Sequence, residues 1–437
     1  MVGFHRRFGL CGVLGATATA IATLMSNALA QQSETITLEG AALEAVAWHP
    51  SLSQAAGTFN ARGEDVNVAR AAYSPQINAG VGMGYDNNLG ANWRPRPQVG
   101  ASQMLFDFGK TRATVDAAQA DTRAGRAELL LATDLLLRET GLAVIELQRA
   151  NALRVVAIAQ LERVGQINRM VRARYELGAA TKSDALQAQA RLEAAQATLT
   201  QIEAEKRRWG SNLTYLTGRK APPAASAAVP AWLGESCSRA SPSMDEIPAV
   251  MIADALKERA SADVRRSQAE RKPTIAFGGD AATDLLSPFG TRSTYNFGLR
   301  VTTNVFNGGA SRARARGASY AAGAADAAAE RARTETGQRL SEAQQQVAGL
   351  GQLLATLGSR EKNMEQTGKL YRLQYLDMGT RTLVDLLNAE QELHQVRFDA
   401  ANTVHDLRRL QMECLHYSGR ARQMFGLTGK TVRGVTL

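Results

Sequence analysis

The sequence predicts an α+β membrane protein in which a short β-barrel, shared between several chains, continues into a long helical tube. Three observations predict this architecture. The chain repeats itself at a spacing of about 200 residues, each half contains two strand-like segments, and each half then continues for 67 residues without a proline. Aromatic residues make up only 5% of the 437 residues, which suits long helices packed through small side chains better than a large globular core.

The N-terminus has the order of a secretory signal. Arg6 and Arg7 form a basic start, residues 10–25 are apolar, and residues 28–30 (Ala-Leu-Ala) form a small-x-small cleavage site. We therefore expect a signal peptide over residues 1–30 and an exported chain. An N-terminal membrane anchor is the alternative.

Two cysteines follow the predicted signal peptide, Cys237 and Cys414. One pair in a chain of this length is not a disulfide framework. Their spacing decides neither for a disulfide nor for two free thiols, so both alternatives stay open.

An internal repeat divides the chain. Residues 71–80 (AAYSPQINAG) resemble residues 269–278 (AERKPTIAFG), and residues 174–195 resemble residues 374–395. Because the offset barely changes along the chain, the sequence predicts two homologous halves. The predicted divisions are a first repeat (31–218), a connector rich in Ala, Pro and Ser (219–243), a second repeat (244–418) and a C-terminal tail (419–437).

Each repeat contains two segments of alternating polarity. In residues 295–306 the odd positions are mostly apolar, whereas the even positions, which include Arg300, are mostly polar or small. This alternation predicts strands, and a length of about ten residues suits a tilted strand that spans a membrane. Arg300 is then expected to face the lumen. A half-buried soluble sheet is the alternative, but the rest of each repeat offers no further strands to complete one. The predicted strands are 75–85, 97–106, 273–283 and 295–306.

A long helix follows the second strand of each repeat. Residues 110–176 and 310–376 lack proline, and each helix would be about 100 Å long at 1.5 Å per residue. Gly178 and Gly379 then mark turns that need a positive φ. A return helix covers only half of each long helix, so the helix that enters each repeat is expected to cover the remainder. The predicted return helices are 181–216 and 382–417.

The strand count constrains the assembly. Four strands per chain cannot close a barrel, and an open sheet edge is not tolerated in lipid. If the strands span a membrane, several chains must contribute to one barrel. No segment after the predicted signal peptide has 18 uninterrupted apolar residues, so no transmembrane helix is expected.

Three stretches of the chain resemble the TolC family of outer-membrane export ducts. The most specific is MGTRTLVDLLNAEQEL (378–393), followed by SQMLFDFGKTRA (102–113) and WHPSL (48–52). The two-fold repeat and the order of the elements match as well. The resemblance covers nearly the whole chain after the predicted signal peptide.

The resemblance implies a homotrimer whose twelve strands close one barrel among outer-membrane lipids and whose helices form a tunnel through the periplasm. It also implies that the tunnel tip docks on a periplasmic adaptor protein and an inner-membrane pump, either of the ABC type or proton-driven. The cargo would be drugs and small molecules in efflux, or unfolded polypeptides in type I secretion. The protein would be a passive duct, neither an enzyme nor a cofactor-binding protein.

The resemblance further implies a periplasmic gate, in which polar links between two helical hairpins and an inward bend hold the tip shut. Carried over residue by residue, the gate arginine is Arg381, its hydroxyl partner is Ser183 and the neighbouring acid is Asp184. Asp385 matches the first of two acidic rings. The second ring falls on Asn388, so weaker cation selectivity is expected.

Two other positions complete the comparison at the tip. The gate tyrosine of the family falls on Leu376, a departure from the family pattern, and Tyr375 is the adjacent residue. The turns around Gly178 and Gly379, together with Thr380, are expected to contact the adaptor.

Local helix chemistry offers a second interpretation of the charged turn. Asp385 lies four residues after Arg381, the spacing of an ion pair along one helix face, and an acid near a helix N-terminus is favoured by the helix dipole. Thr380 or Thr382 could cap the helix. Thr181 takes the place of Arg381 in the first repeat, which favours a latch role for the arginine.

Other motifs do not support another function. GVGMG (80–84) lies within a strand segment with no helix after it, so it is not a dinucleotide-binding loop. His394, His405 and His416 are spaced by about 16 Å along one helix and cannot share a metal within a chain. The net charge of +10 does not predict nucleic-acid binding, because an exported chain would rarely meet nucleic acid. Arg112, Arg312 and Arg314 directly follow the predicted strands and are instead expected near lipid phosphates at the periplasmic edge of the bilayer.

Two further function classes remain as alternatives. A structural coiled-coil surface protein or adhesin without transport activity is the main one. A soluble periplasmic adaptor is the other, and it would need a lipoyl-like or barrel domain that the sequence does not contain.

Overall fold

The computed structural model describes residues 35–84, 93–238, 243–283 and 293–437. The predicted signal peptide lies outside the described residues. The helices are α1 (Leu38–Trp48), α2 (Pro50–Ala71), α3 (Lys110–Glu176), α4 (Lys182–Thr217), α5 (Ala231–Gly234), α6 (Pro248–Ala269), α7 (Ala310–Leu373), α8 (Leu383–Tyr417) and α9 (Ala421–Met424). The strands are β1 (Thr35–Ile36), β2 (Gln76–Gly84), β3 (Arg94–Phe106), β4 (Ala224–Ala225), β5 (Thr274–Ala282), β6 (Thr294–Thr302), β7 (Thr431–Val432) and β8 (Val435–Thr436).

Four strands form one antiparallel sheet in the order β2-β3-β5-β6, so the two strands of the first repeat lie beside the two of the second. The outer strands β2 and β6 have exposed side chains on both faces at every position whose burial is described. Within the described part of the chain, neither outer strand pairs with a further strand. Each therefore leaves one edge of unpaired backbone groups.

Two strand boundaries differ from those expected. β6 ends at Thr302, short of residue 306, because Thr302 pairs with Thr274, the first residue of β5. The residue before Thr274 is Pro273, which has no N–H to extend the ladder. β3 begins at Arg94, earlier than expected, because β2 still pairs with it there.

The long helix α3 lies at the centre of the helical part. It contacts α1, α2 and α4 of its own repeat and α6 and α8 of the second, whereas α7 packs on α6 and α8. Two shorter helices thus flank each long helix. Small buried residues on α3, such as Ala120, Ala124 and Ala127, let the neighbouring helices approach closely. Among the described helices, none has the length and apolarity needed to cross a bilayer.

The long helix of the second repeat ends differently from that of the first. α3 continues regularly to Glu176, whereas α7 ends at Leu373 and does not reach residue 376. A π-helical turn over Gln374–Met378 follows it and holds Tyr375 in a buried position. π-helical turns are rare in proteins, and those that occur are often located at functional sites.

The largest hydrophobic cluster of the described residues lies at mid-length of α3 and includes residues of the predicted connector and tail. Leu233 of the connector and Phe425 of the tail are buried together with Leu137 of α3. Arg422 of the tail forms an ion pair with the buried Asp134 at 2.8 Å, and burial raises the pKa of Asp134 to about 7. Both segments are therefore parts of the core and not free linkers.

Cys237 and Cys414 form a disulfide, with their Cα atoms 5.2 Å apart. The bond joins the segment between the repeats to α8. This finding decides between the two alternatives that the sequence left open.

Candidate functional site

The expected tip turns lie at the ends of two helical hairpins, α3–α4 (hairpin 1) and α7–α8 (hairpin 2). Gly178 lies in the turn of hairpin 1 with a φ of +73°, and Gly379 lies in the turn of hairpin 2 with a φ of +62°. A Cβ atom at either position would meet nothing within 4 Å, so the backbone conformation, and not crowding, requires glycine. The expected positive φ is confirmed at both turns.

Both return helices begin with the same capping box. Thr181 accepts a hydrogen bond from the backbone N–H of Asp184 at 3.1 Å, and the Asp184 carboxylate accepts one from the N–H of Thr181 at 3.1 Å. Thr382 and Asp385 repeat this arrangement at 3.2 and 3.3 Å. Each acid therefore has a structural role at its helix N-terminus.

The capping boxes also fix the correspondence between the repeats. Thr181 corresponds to Thr382, so Ala180 stands at the position of Arg381. The expectation that Thr181 takes the place of Arg381 is wrong by one residue, because the glycine turns and the caps share a single offset. Of the two candidate caps, the structure uses Thr382. Thr380 is exposed, and its N–H donates to the Gln374 carbonyl at 3.0 Å.

Arg381 contacts its own hairpin. Its Nε donates to Gln374 Oε1 at 3.2 Å, and its guanidinium carbon lies 4.5 Å from the ring centroid of Tyr371. The carboxylate of Asp385 is 4.0 Å away. None of the described contacts of Arg381 reaches Ser183, whose side chain is exposed on hairpin 1. Within a single chain, Arg381 therefore pairs with residues of its own hairpin.

A link between the two hairpins involves residues to which the sequence assigned no role. The guanidinium carbon of Arg174 on α3 lies 5.0 Å from the ring centroid of Tyr375, and its Nη1 donates to the Tyr375 carbonyl at 3.5 Å. Burial raises the pKa of the Tyr375 phenol. The nearby Asp184 carboxylate adds to this rise, whereas Arg174 opposes it. The only signal in the sequence was the position of Tyr375 next to Leu376.

Asn388 also receives a contact from hairpin 1. Arg191 on α4 donates through Nη2 to Asn388 Oδ1 at 3.4 Å and through Nη1 to Gln391 Oε1. Sequence reasoning missed Arg191, because nothing in the local pattern of α4 indicates which face meets α8.

A buried polar cluster lies further along α8. Glu390 and His394 are each 2% exposed. Arg163 of α3 lies 3.5 Å from the Glu390 carboxylate. Burial raises the pKa of Glu390 and lowers that of His394 to about 4. This cluster ties α8 to α3 above the tip.

Arg300 lies far from the tips, on the outer strand β6. It pairs with Ala276 of β5, and its side chain is exposed. Asn296, Gly298 and Thr302 alternate with it and share its face of the sheet. Within the described ranges, no group of three or more His, Cys, Asp or Glu side chains could hold a metal ion.

The family model described as outer membrane efflux protein matches residues 42–219 and 244–409, which is most of the chain. The chain belongs to the outer membrane efflux protein family. It is 24% identical over 421 residues to the outer membrane efflux protein BepC of Brucella suis biovar 1 (strain 1330). That similarity covers 94% of this chain and 91% of BepC.

Solved structures have the same fold. A membrane protein from Pseudomonas aeruginosa superposes with a TM-score of 0.78 at 18% identity, over 87% of this chain and 90% of that chain. The outer membrane protein VceC from Vibrio cholerae superposes with a TM-score of 0.78 at 19% identity, over 87% of this chain and 96% of VceC. The predicted combination of a strand domain with long helices is confirmed.

Membership of the outer membrane efflux protein family confirms the resemblance to TolC-type channels. The protein is an export duct of the outer membrane, and its helical part extends into the periplasm. The alternative of a structural surface protein or adhesin is not favoured.

Proposed function

We propose that three copies of the chain form one passive export duct of a tripartite efflux or type I secretion system. The observation that carries this proposal is the four-stranded sheet, whose two outer strands pair with no further strand among the described residues, joined to helices about 100 Å long. An open edge is not stable in lipid, so neighbouring sheets must pair edge to edge until a barrel closes. Three sheets of four strands make a barrel of about twelve strands, within the range of outer-membrane barrels.

The tube and its gate follow from the same assembly. Around a threefold axis, the hairpin tips bring three copies of Asp385 and Asn388 to one constriction, with Arg381 beside them. Ser183 and Asp184 lie on hairpin 1, where Arg381 of the same or a neighbouring chain would reach them when the tube is closed. On the barrel, Arg300 faces the lumen, since the face that it shares is the more polar one.

The tip turns are the proposed contact with the periplasmic adaptor. Gly178, Gly379 and Thr380 are exposed at the ends of the hairpins. The adjacent Leu177 and Met378 are 83% and 61% exposed, so each turn offers an apolar side chain to a partner. An ABC-type or proton-driven inner-membrane pump supplies the energy, and the duct itself has no enzymatic step and needs no cofactor.

Reconstitution of the purified chain into planar lipid bilayers tests the proposal. The expected result is a cross-linkable trimer that gives discrete conductance steps. Detergent buffer without protein is the control for leakage. A protein that inserts as a trimer but gives no steps would contradict the duct, and so would a stable monomer in the bilayer.

A further inference from the structure

We propose that Arg191 determines the ion selectivity of the tunnel constriction, where three copies form a cationic ring at the level of Asn388 and favour anionic solutes. This inference rests on the proposed function, which assigns Asp385 and Asn388 to the tunnel wall. It identifies a residue that acts on the selectivity of that same site.

The contacts of Arg191 leave its charge uncompensated. Its two described partners, Asn388 Oδ1 and Gln391 Oε1, are amide oxygens without net charge. In the described part of the chain, Arg191 takes part in no ion pair. Many other arginines on these helices differ in this respect, since Arg163 and Arg154, for example, each face a glutamate. The amide oxygens hold the guanidinium in place without neutralising it.

The position of Arg191 puts this charge on the same side of the helical layer as Asn388. A groove of about 240 Å³ runs between α4 and α8 over α3, and Arg191 and Gln391 both line it. Asn388 lies three residues beyond Asp385 on α8, a distance of about 4.5 Å along the helix axis. A solute that enters from the tip would pass Asp385 first and Arg191 one turn later.

The two charged levels have opposite effects. The ring of Asp385 attracts cations to the mouth of the tunnel. A ring of arginines immediately behind it raises the energy of a cation and lowers that of an anion, because few water molecules screen charges in a constriction. Replacing the second acidic ring by Asn388 therefore does more than remove negative charge, since it leaves Arg191 as the dominant charge at that level.

A purely structural role for Arg191, as a brace between the hairpins, predicts a different pattern of variants. A brace depends on the planar fork of the guanidinium, which reaches two acceptors at once. A selectivity filter depends on the positive charge. Arg191→Lys keeps the charge and loses the fork, whereas Arg191→Gln loses the charge and keeps a hydrogen-bond donor.

Reversal potentials across planar bilayers with a KCl gradient test the proposal on purified trimers. Arg191→Gln removes three charges from the ring of the trimer, so it is expected to lower the ratio of anion to cation permeability by roughly threefold or more in a partly screened medium. Asn388→Asp is expected to shift the ratio in the same direction, because a carboxylate at that site pairs with Arg191. Arg191→Lys should resemble the wild type.

Arg207→Gln is the matched control. Arg207 is an exposed arginine of α4, about 24 Å further along the helix and nearly on its opposite face, so its replacement should leave the reversal potential unchanged. An unchanged reversal potential in Arg191→Gln would overturn the proposal, as would a shift of equal size in Arg191→Lys. If Asp385→Asn shifts selectivity while Arg191→Gln does not, the proposed duct stands and this inference fails. A wild-type trimer without conductance overturns both.

Discussion

The guanidinium of Arg174 lies over the ring of Tyr375, with 5.0 Å between the guanidinium carbon and the ring centroid, and so joins hairpin 1 to hairpin 2 within one chain. Opening a tube of such hairpins requires the two to separate or slide. The contact is therefore expected to oppose opening. Arg174 is thus a second candidate for a gating role at the tip, beside Arg381.

Tyr375→Ala is expected to favour the open state. Loss of the ring removes a cation–π contact of about 0.5–1 kcal/mol, which corresponds to a roughly two- to fivefold change in the ratio of open to closed states. Single-channel recording measures this ratio. Tyr375→Phe is the control, because it keeps the ring and should behave as the wild type. Equal gating in the two variants would show that the ring contact is unimportant.

The double variant Arg381→Ala/Ser183→Ala tests the proposed latch. If Arg381 reaches Ser183 in the closed trimer, the double variant should raise single-channel conductance. Gln374→Ala is the informative control, because it removes the observed partner of Arg381 on its own hairpin and leaves Ser183 intact. A similar rise in Gln374→Ala would mean that Arg381 acts by stabilising its own turn.

Asp385→Asn is expected to weaken the block of the channel by multivalent cations. In the proposed trimer, three of these carboxylates would face one constriction and bind a multivalent cation, so their neutralisation should raise the blocking concentration by about tenfold or more. Asparagine is preferable to alanine, because its amide oxygen can still accept the N–H of Thr382 and preserve the cap. Asp377→Asn is the control, because it removes a charge from the exposed turn of the same hairpin. The block by multivalent cations should persist in this variant.

The sequence predicted the order and extent of the elements better than the contacts between them. Glycine turns, proline-free runs and strand alternation are local signals, so the segment after Gly109 could be read as a helix of 67 residues. Contacts such as Arg174–Tyr375 depend on the rotation of each helix about its own axis. Alanine-rich helices carry no strong apolar stripe to fix that rotation, so the faces that meet could not be assigned.

The same limit applies to the site. Asp385 and Arg381 were singled out by local spacing and resemblance, and the i,i+4 contact between them is present, at 4.0 Å. Arg191 was not singled out, because its partners Asn388 and Gln391 lie about 200 positions further along the chain. The disulfide was undecided for a similar reason, since 177 residues separate its cysteines.

Removal of the disulfide is expected to destabilise the protein. The bond between Cys237 and Cys414 closes a loop over a sequence separation of 177 residues, and loss of a native disulfide typically costs about 2–5 kcal/mol. Thermal unfolding should show a lower midpoint for Cys237→Ala than for the wild type without reductant. The wild type with reductant should approach the variant. The double variant Cys237→Ala/Cys414→Ala is the control and should not respond to reductant, whereas a reductant response in it would assign the effect elsewhere.

Acidification is expected to destabilise the contact between α8 and α3 through His394. Burial lowers the pKa of this histidine from 6.5 to about 4, and the nearby Arg397 and Arg163 add to the effect. The unfolded chain therefore binds the proton more readily between these two pH values, so stability is complete above pH 6.5 and is lost as the pH falls toward 4. The loss attributable to His394 is up to about 3 kcal/mol.

His394→Leu isolates this contribution, because leucine fills the buried site without a titratable group. The variant should lose less stability than the wild type between pH 7.5 and about pH 4.5, measured by thermal or denaturant unfolding. A slope remains in the variant, since burial also lowers the pKa of His416 to about 4. Identical pH slopes in the two proteins would mean that His394 binds its proton as readily in the folded protein as in the unfolded chain, and that the buried cluster at Glu390 does not make the α8–α3 contact sensitive to pH.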